Sequence, residues 1–334
     1  QINNNYDFAE MLSEMLGELN ASHTGARYAT KQDNPDLTAC LGLFYDESYT
    51  GAGLRIAEVM DKSPVVKSGS KIKAGIVIEK IDGEAILPNE DYNHLLNRKD
   101  GKNTLLSLYN PATSERWEET VKPITPAEEG ELRYRRWVER SRFLVDSLSG
   151  GKIGYVHVRG MNDPSYRTVY EEVLGKNAGK EALVVDTRFN GGGWLHDDLA
   201  TFLDGKRYLT FMPRGQDIGA EPQFKWTKPS VVVMSESNYS DAHMFPYTYK
   251  ALGIGKLVGM PVPGTGTAVW WETLQNGMVF GIPQVGMVDK DGKYLENNQL
   301  EPDIKAPNEP GEVSKGRDQQ LEAAVKELLK TVRP

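Results

Sequence analysis

Three short, almost continuously apolar runs in the second half of the chain constrain its fold more than any other feature. The runs are KIGYVHV, ALVVDTR and PSVVVMS, at 152–158, 182–188 and 229–235. Runs with no polar alternation are typical of strands buried in a parallel sheet. Helical patterns lie between or after them, at 164–175, 194–203 and 243–252. The alternation predicts βαβ crossovers and an α/β sheet domain.

The first part of the chain has a different texture. Residues 40–123 contain short β-like runs separated by Gly, Pro and Asp-Gly turns. Short helical stretches are expected after Pro64 and at 89–101. Several strands and two short helices in one such segment predict a small, separate, barrel-like module.

Further helices are expected outside these two regions. Residues 126–148 look helical and are rich in charge on one face, and residues 315–330 form a closing helix. Residues 6–20 have apolar side chains at i, i+3 and i+4 spacing, which predicts an amphipathic helix with one buried stripe. The stripe consists of Phe8, Met11, Leu12, Met15, Leu16 and Leu19.

These patterns predict a multidomain fold of mixed α/β and β class. A helical segment occupies 1–39, the small module 40–123, and a helical lead-in with the α/β domain 124–334. A chain of 334 residues is long enough for two or three domains, each with its own core.

Composition narrows the function classes. The net charge is 39 − 47 = −8, so we expect neither nucleic acid nor an anionic membrane as the main partner. No run of 18 apolar residues is present, and a single cysteine, Cys40, excludes an internal disulfide framework. We expect no cofactor and leave self-association into a homo-oligomer open. The chain starts at Gln1, so we expect it to be processed or excised from a longer one; a cytoplasmic location is expected, with a periplasmic one left open.

A glycine-rich turn is the first candidate site. DTRFNGGGW, at 186–194, follows a predicted strand and precedes a predicted helix. Glycines there let backbone N–H groups face an incoming anion, although a simple strand-end turn is the alternative. The stretch lacks the Lys-Ser/Thr ending of a phosphate-binding loop and the spacing of a dinucleotide fingerprint.

A serine at a second strand end is the candidate nucleophile. In SESNYSDAHMF (235–245), Ser240 stands between an apolar run and a helical pattern. The carboxyl ends of parallel strands share one edge of a sheet, so Ser240 and the glycine turn could face each other. N–H groups of that turn and of the residue after Ser240 would then form an oxyanion hole. The alternative is that Ser240-Asp241 only caps the helix.

A nucleophilic serine needs a base, and the residues alone leave it open. Of the five histidines, His243 lies on the same predicted helix as Ser240, His157 in a strand and His94 in the small module. His196 with Asp197 and Asp198 suggests a metal site, although adjacent helix residues do not converge on one ion. The fifth histidine, His23, is remote in sequence, which does not forbid contact.

Several stretches together resemble one family. GLRIAEVMDKSPVVKSGSKIKAGIVIEKIDGE (53–84) is similar to a PDZ domain. This stretch followed by VVDTRFNGGG, SNYSDA and LEPDI resembles the tail-processing peptidase superfamily of serine peptidases. One branch uses a Ser–Lys dyad, but the corresponding window here, PVPGTGTAVWW (261–271), contains no lysine. The tricorn branch takes a histidine from the helical segment before the PDZ domain, and GELNASHTG (17–25) resembles that motif.

The resemblance implies a set of site residues. Ser240 would be the nucleophile, His23 the general base and Ser22 the second serine of the tricorn tetrad. Glu296, in YLENNQLEPDI, would be the tetrad acid, with Glu301 as second choice. The backbone N–H groups of Asp241 and of a glycine within 191–193, with Gly192 preferred, would form the oxyanion hole.

The implied function is a serine peptidase acting on short or unfolded peptides. One alternative is a non-catalytic PDZ-type peptide-binding protein, and another is a metal-dependent hydrolase that uses His196, Asp197 and Asp198. Tricorn peptidases carry two β-propeller domains before this core, and this chain does not contain them. We therefore expect a C-terminal fragment or a minimal homologue.

Overall fold

The chain combines α-helices with several β-sheets, so the predicted mixed α/β class is confirmed. The computed structural model describes residues 2–30, 32–88 and 90–332. The α-helices are α1 (Asn5–Gly17), α2 (Pro126–Leu148), α3 (Asp163–Leu174), α4 (His196–Leu203), α5 (Asp241–Ala251) and α6 (Gln319–Leu328). Within the described ranges, no helix is both long enough and apolar enough to cross a membrane.

The strands are short and fall into several sheets. In chain order they are β1 (Gly25–Arg27), β2 (Leu43–Tyr45), β3 (Leu54–Val59), β4 (Val77–Ile81), β5 (Glu84–Ala85), β6 (Thr104–Asn110), β7 (Glu115–Val121), β8 (Ile153–His157), β9 (Ala182–Asp186), β10 (Leu209–Thr210), β11 (Ala220–Glu221), β12 (Ser230–Met234), β13 (Lys256–Gly259), β14 (Thr267–Ala268), β15 (Glu272–Thr273), β16 (Val279–Gly281), β17 (Val285–Gly286) and β18 (Ile304–Lys305).

One compact unit consists of Gln1–Thr30 together with Ser141–Pro334, and a five-stranded parallel sheet forms its centre. The strand order β8-β9-β12-β13-β18 follows the order in which these five strands occur along the chain, and strands of other sheets lie between some of them. Strands β8, β9 and β12 are buried along their whole length, which explains their continuous apolar runs. Because β9 and β12 are parallel neighbours, the loops that follow them leave the same edge of the sheet.

Helices α3, α4 and α5 connect consecutive strands of this sheet, as the sequence predicts. Their apolar faces and the strands share one core. Its largest fully buried side chains are Phe202, Phe245 and Tyr249. Three small antiparallel sheets complete the unit; they are β1-β16-β15, β10-β11 and β14-β17.

Helix α1 forms where its periodicity predicts, but the predicted buried stripe is wrong. Of the six expected side chains only Leu16 is buried. The helix packs against the three-residue strand β1, which is too short to cover a wide face. Ala9 and Leu16, two turns apart, are its buried residues. The exposed members of the predicted stripe are Phe8, Met11, Met15 and Leu19.

The second compact unit, Lys31–Arg140, contains an antiparallel sheet of order β2-β3-β4-β6-β7, with β5 paired to β4. Its separate core includes Ile56, Ile78, Leu106 and Leu108. A 3₁₀ turn at Asn93–Leu96 occupies part of the second predicted short helix, whereas hydrogen-bonded turns replace the first. The unit extends beyond the predicted module, 40–123, on both sides. It includes α2 from its first residue to Arg140.

Candidate active site

Ser240 lies between β12 and α5 in a backbone conformation that residues with side chains seldom adopt. Its φ is 55° and its ψ is −123°, and such strained residues, which cost about 1–3 kcal/mol, cluster at functional sites. Neighbouring hydrogen bonds hold it: the Ser240 N–H donates to Thr265 Oγ1 at 2.9 Å. The buried Asn238 amide donates to Thr187 Oγ1 and to the Ala242 carbonyl. The Ser240 hydroxyl makes no capping bond to α5.

The Ser240 hydroxyl instead contacts a histidine from the other end of the chain. Its Oγ lies 2.8 Å from Nε2 of His23. His23 follows α1 and has a φ of 62°. Its backbone N–H donates to the hydroxyl of Tyr239 at 2.7 Å, and the two ring centroids are 4.8 Å apart. The residue before Ser240 therefore helps to position the histidine.

The far side of the His23 ring meets two hydroxyl groups and, through them, a carboxylate. Nδ1 lies 3.0 Å from Ser22 Oγ and 3.0 Å from Thr267 Oγ1. Ser22 Oγ donates to Glu296 Oε2 at 2.9 Å, and the Ser22 N–H donates to Glu296 Oε1. The structure thus brings Glu296 to Ser22, whereas Glu301 is exposed to solvent.

The segment Gly264-Thr265-Gly266-Thr267 brings two threonines to the site. Neither threonine was predicted from the sequence. Alternate residues of an extended chain face opposite sides, so both threonines face Ser240 and His23. The glycines face the segment that carries Glu296. A Cβ on Gly266 would lie 2.6 Å from Leu295 Cβ and 2.8 Å from the Glu296 N, so only glycine permits this approach. The Gly-Thr-Gly-Thr alternation was the available signal; nothing in the sequence pointed to Tyr239.

The protonation of His23 is set by two opposing effects. Burial lowers its pKa below the ordinary histidine value, and the negative charge of Glu296 raises it. Burial is the larger effect, so the imidazole is mostly neutral at pH 7. A neutral imidazole is the form that can accept a proton.

The other histidines have partners other than the Ser240 hydroxyl. His243 is almost fully buried, and its Nδ1 accepts from the Thr265 N–H at 3.2 Å. Burial lowers the pKa of His243 to about 4. The Nε2 of His157 hydrogen-bonds the Arg188 carbonyl, and burial lowers its pKa also. His94 is exposed in the second unit.

His196 pairs with Asp241, not with its neighbours Asp197 and Asp198. Its Nδ1 contacts Asp241 Oδ1 at 2.5 Å, and this hydrogen bond raises the pKa of His196. The other carboxylate oxygen accepts from the N–H groups of Leu195 and His196 at the start of α4. Among the residues that the structure describes, no three His, Cys, Asp or Glu side chains are grouped as a metal site requires.

The glycine turn lies against Ser240, as its strand-end position suggested. A Cβ on Gly192, whose φ is 97°, would lie 2.6 Å from Ser240 Cβ and 2.8 Å from the Tyr239 carbonyl oxygen. The Gly192 N–H donates to Asn190 Oδ1 at 2.9 Å. The N–H of Asp241, the first residue of α5, has no acceptor within its helix.

Known proteins resemble this chain over its whole length. Residues 152–306 match the model of peptidase family S41. Tricorn protease homolog 1 of Streptomyces coelicolor is 30% identical over 96% of this chain and 30% of its own length. The tricorn protease of Thermoplasma acidophilum is 27% identical over 98% of this chain and 31% of its own length. This chain spans about a third of the length of such relatives.

A solved structure supports the same relationship. The crystal structure of the tricorn protease superposes on this chain with a TM-score of 0.87 at 26% identity, covering 100% of this chain and 33% of that one. The matches in sequence and in fold agree. Residues 152–306 therefore match peptidase family S41, and the chain as a whole resembles tricorn proteases in sequence and in fold.

Proposed function

We propose that this chain hydrolyses peptide bonds with Ser240 as nucleophile and His23 as general base. Ser22 and Glu296 hold the imidazole in this proposal and complete a Ser-His-Ser-Glu tetrad. The observation that carries it is the 2.8 Å contact between Ser240 Oγ and His23 Nε2. A serine at hydrogen-bond distance from a base, with that base oriented by a third group, is the arrangement of an activated nucleophile.

The hydrogen bonds around His23 favour the tautomer that a general base needs. An ionised Glu296 can only accept, so the Ser22 hydroxyl proton points to Oε2. Thr267 Oγ1 donates to the Ser22 carbonyl oxygen at 3.1 Å. Both hydroxyl oxygens are then acceptors for His23, which places the ring proton on Nδ1 and leaves the Nε2 lone pair facing Ser240.

The reaction follows from this arrangement. Ser240 Oγ attacks the carbonyl carbon of the peptide bond while its proton passes to His23 Nε2. The protonated histidine then gives that proton to the leaving amine, so the C–N bond breaks and an acyl-enzyme remains. A water molecule attacks the acyl-enzyme with His23 again as base, which releases the acid and restores the Ser240 hydroxyl.

Two backbone N–H groups are proposed as oxyanion donors, those of Asp241 and Gly192. A donor at the start of α5 also benefits from the positive end of the helix dipole. The Gly192 N–H donates to Asn190 Oδ1 in the structure. The oxyanion must therefore share or displace that acceptor when it forms.

We also propose that the second unit is PDZ-like and that the substrates are short or unfolded peptides. The stretch 53–84 resembles a PDZ domain, and it contributes β3 and β4 to the small antiparallel sheet. The relatives are named tricorn proteases, which supports peptides as the substrate class. A purely peptide-binding role is not favoured, since such a role needs no serine in contact with a histidine.

Substitution of the two reacting residues tests the proposal. Ser240→Ala and His23→Ala should each lower kcat by up to about a million-fold on a fluorogenic peptide, and the double variant should be little worse, since the two act as one unit. A serine-directed phosphonate should label Ser240 and no other residue of the chain.

Two matched controls accompany the test. Ser237→Ala removes another serine of the same segment and should leave the labelling intact. His94→Ala removes an exposed histidine of the second unit and should keep full turnover. Near-normal turnover of a folded His23→Ala variant would overturn the proposal and make His243 the base to test.

A further inference from the structure

Thr267 contacts both Ser22 and His23 but is not a member of the proposed tetrad. Thr267, at the start of β14, is only 8% exposed. Its Oγ1 lies 2.7 Å from Ser22 Oγ and 3.0 Å from His23 Nδ1, and it donates to the Ser22 carbonyl oxygen at 3.1 Å. The distance to the His23 ring equals that of Ser22 Oγ from the same nitrogen. The imidazole therefore faces two hydroxyl oxygens rather than one.

We propose that Thr267 is a positioning residue that shares the His23 Nδ1 proton with Ser22. The inference rests on the proposed function, because it concerns the orientation of the proposed base. Thr267 does not touch the reacting atoms. It acts through His23, by holding the ring tautomer and the angle that aim Nε2 at Ser240.

Counting protons supports this role. Ser22 and Thr267 have one hydroxyl proton each, and the carboxylate of Glu296 takes the one from Ser22. The Thr267 proton points either to the Ser22 carbonyl or to Ser22 Oγ, both within reach. In either arrangement the Thr267 oxygen keeps a lone pair for the His23 Nδ1–H. The His23 Nδ1–H thus has two acceptors. One is Ser22 Oγ, and the other is Thr267 Oγ1, which is itself hydrogen-bonded to Ser22.

The backbone places this hydroxyl with little freedom. Gly266 brings its own strand against the Glu296 segment, and a side chain there would collide with Leu295 and Glu296. The N–H of Met287 donates to the Gly266 carbonyl at 2.9 Å, beside the pairing of β14 with β17. A threonine held between two hydrogen-bonded segments loses little conformational entropy when it orients the ring.

The two acceptors give a specific mutational pattern. Thr267→Val should lower kcat by about tenfold, the effect expected of one lost hydrogen bond to a group that becomes charged. Ser22→Ala should cost more, because it also removes the hydroxyl that connects His23 to the Glu296 carboxylate. The double variant should fall by more than the product of the single effects, since neither acceptor then remains. Thr267→Ser should restore the activity of the wild type.

Two further measurements separate positioning from simple packing. ¹⁵N NMR of the five histidines, with His23 assigned by its absence in His23→Ala, should show the Nδ1–H tautomer in the wild type and in both single variants. The double variant should show a mixture with the Nε2–H tautomer. The acid limb of kcat/KM should move to lower pH in Thr267→Val, because an acceptor that stabilises the imidazolium is lost.

The outcomes are distinguishable from those of the proposed function. The inference is overturned if folded Thr267→Val matches the wild type in kcat and acid limb and the double variant matches Ser22→Ala in kcat, acid limb and tautomer. An inactive Ser240→Ala would still leave the proposed function standing. If Thr267→Val does not fold, Thr267→Ala is the hydroxyl-free comparison, and the same criteria decide. Thr104→Val, at a buried threonine of the second unit, controls for the substitution itself and should keep full activity.

Discussion

At the scale of single residues, the environment of His23 decides when it can act as a base. Burial lowers its pKa and Glu296 raises it, so the carboxylate has two separable effects. In the proposed mechanism it orients the ring through Ser22, and its charge favours the protonated form of His23, which cannot act as a base. Orientation raises kcat, whereas the charge alone moves the pH at which the base becomes available.

Glu296→Gln should therefore lower the activity at neutral pH and also extend the remaining activity to lower pH. The neutral amide removes the effect that raises the His23 pKa, so the acid limb of kcat/KM should move to lower pH. Activity at neutral pH should nevertheless fall, by less than in Ser240→Ala, because nucleophile and base remain but are poorly aligned. The measurement is a kcat/KM profile from pH 4 to 9.

Glu301→Gln is the matched control for this profile. The Glu301 side chain is exposed, and its carbonyl oxygen accepts from Lys250 Nζ at 3.2 Å. Its substitution should leave both the rate and the acid limb unchanged. Loss of activity in Glu301→Gln, with an unchanged kcat/KM profile in Glu296→Gln, would reverse our assignment of the acid.

At the scale of elements, the site depends on how closely the loops after β9 and β12 approach each other. Gly192→Ala would put a methyl group 2.6 Å from Ser240 Cβ in a backbone conformation with a φ of 97°. We expect kcat to fall by about 10²–10³-fold, as when an oxyanion donor is displaced. The measurement is kcat together with the unfolding midpoint. Gly179→Ala, where an added Cβ meets nothing within 4 Å, should change neither.

The helices and strands also show which features of the fold could be predicted from the sequence, and why. Strands β8, β9 and β12 are buried on both faces, and burial itself imposes the apolar runs from which they were predicted. The stripe on α1 failed because periodicity reports which residues share a face but not how much partner surface covers it. Thr267 and Ser22 are 245 positions apart, and neither composition nor local spacing encodes that contact. Motif resemblance, not periodicity, led to His23 and Glu296.

At the scale of the whole molecule, the site belongs to one compact unit but to distant parts of the chain. His23, Ser240, Thr267 and Glu296 all lie in Gln1–Thr30 or Ser141–Pro334. Their mutual distances therefore depend on the tertiary packing of that unit, and conditions that weaken its packing should weaken catalysis. Buried titratable groups make pH one such condition.

His243 should make this unit acid-labile. Burial lowers its pKa to about 4 in the folded protein, against about 6.5 in an unfolded chain. Above pH 6.5 neither state binds the proton. As the pH falls from 6.5 towards 4, only the unfolded state is protonated, so the free energy of unfolding should decrease by about 1.4 kcal/mol per pH unit. The neutral ring also accepts from the Thr265 N–H, which protonation of Nδ1 would prevent.

The prediction is tested by urea unfolding at pH 7 and pH 5, for the wild type, His243→Gln and His94→Gln. Protonation of the unfolded chain between pH 6.5 and 5 corresponds to about 2 kcal/mol. His243→Gln should be less stable at pH 7, since it disturbs a buried site, but should lose about 2 kcal/mol less on going to pH 5. His94→Gln, at an exposed position, should lose as much as the wild type. Equal pH dependence in all three proteins would mean that His243 titrates normally and that carboxylates or His157 account for any acid lability.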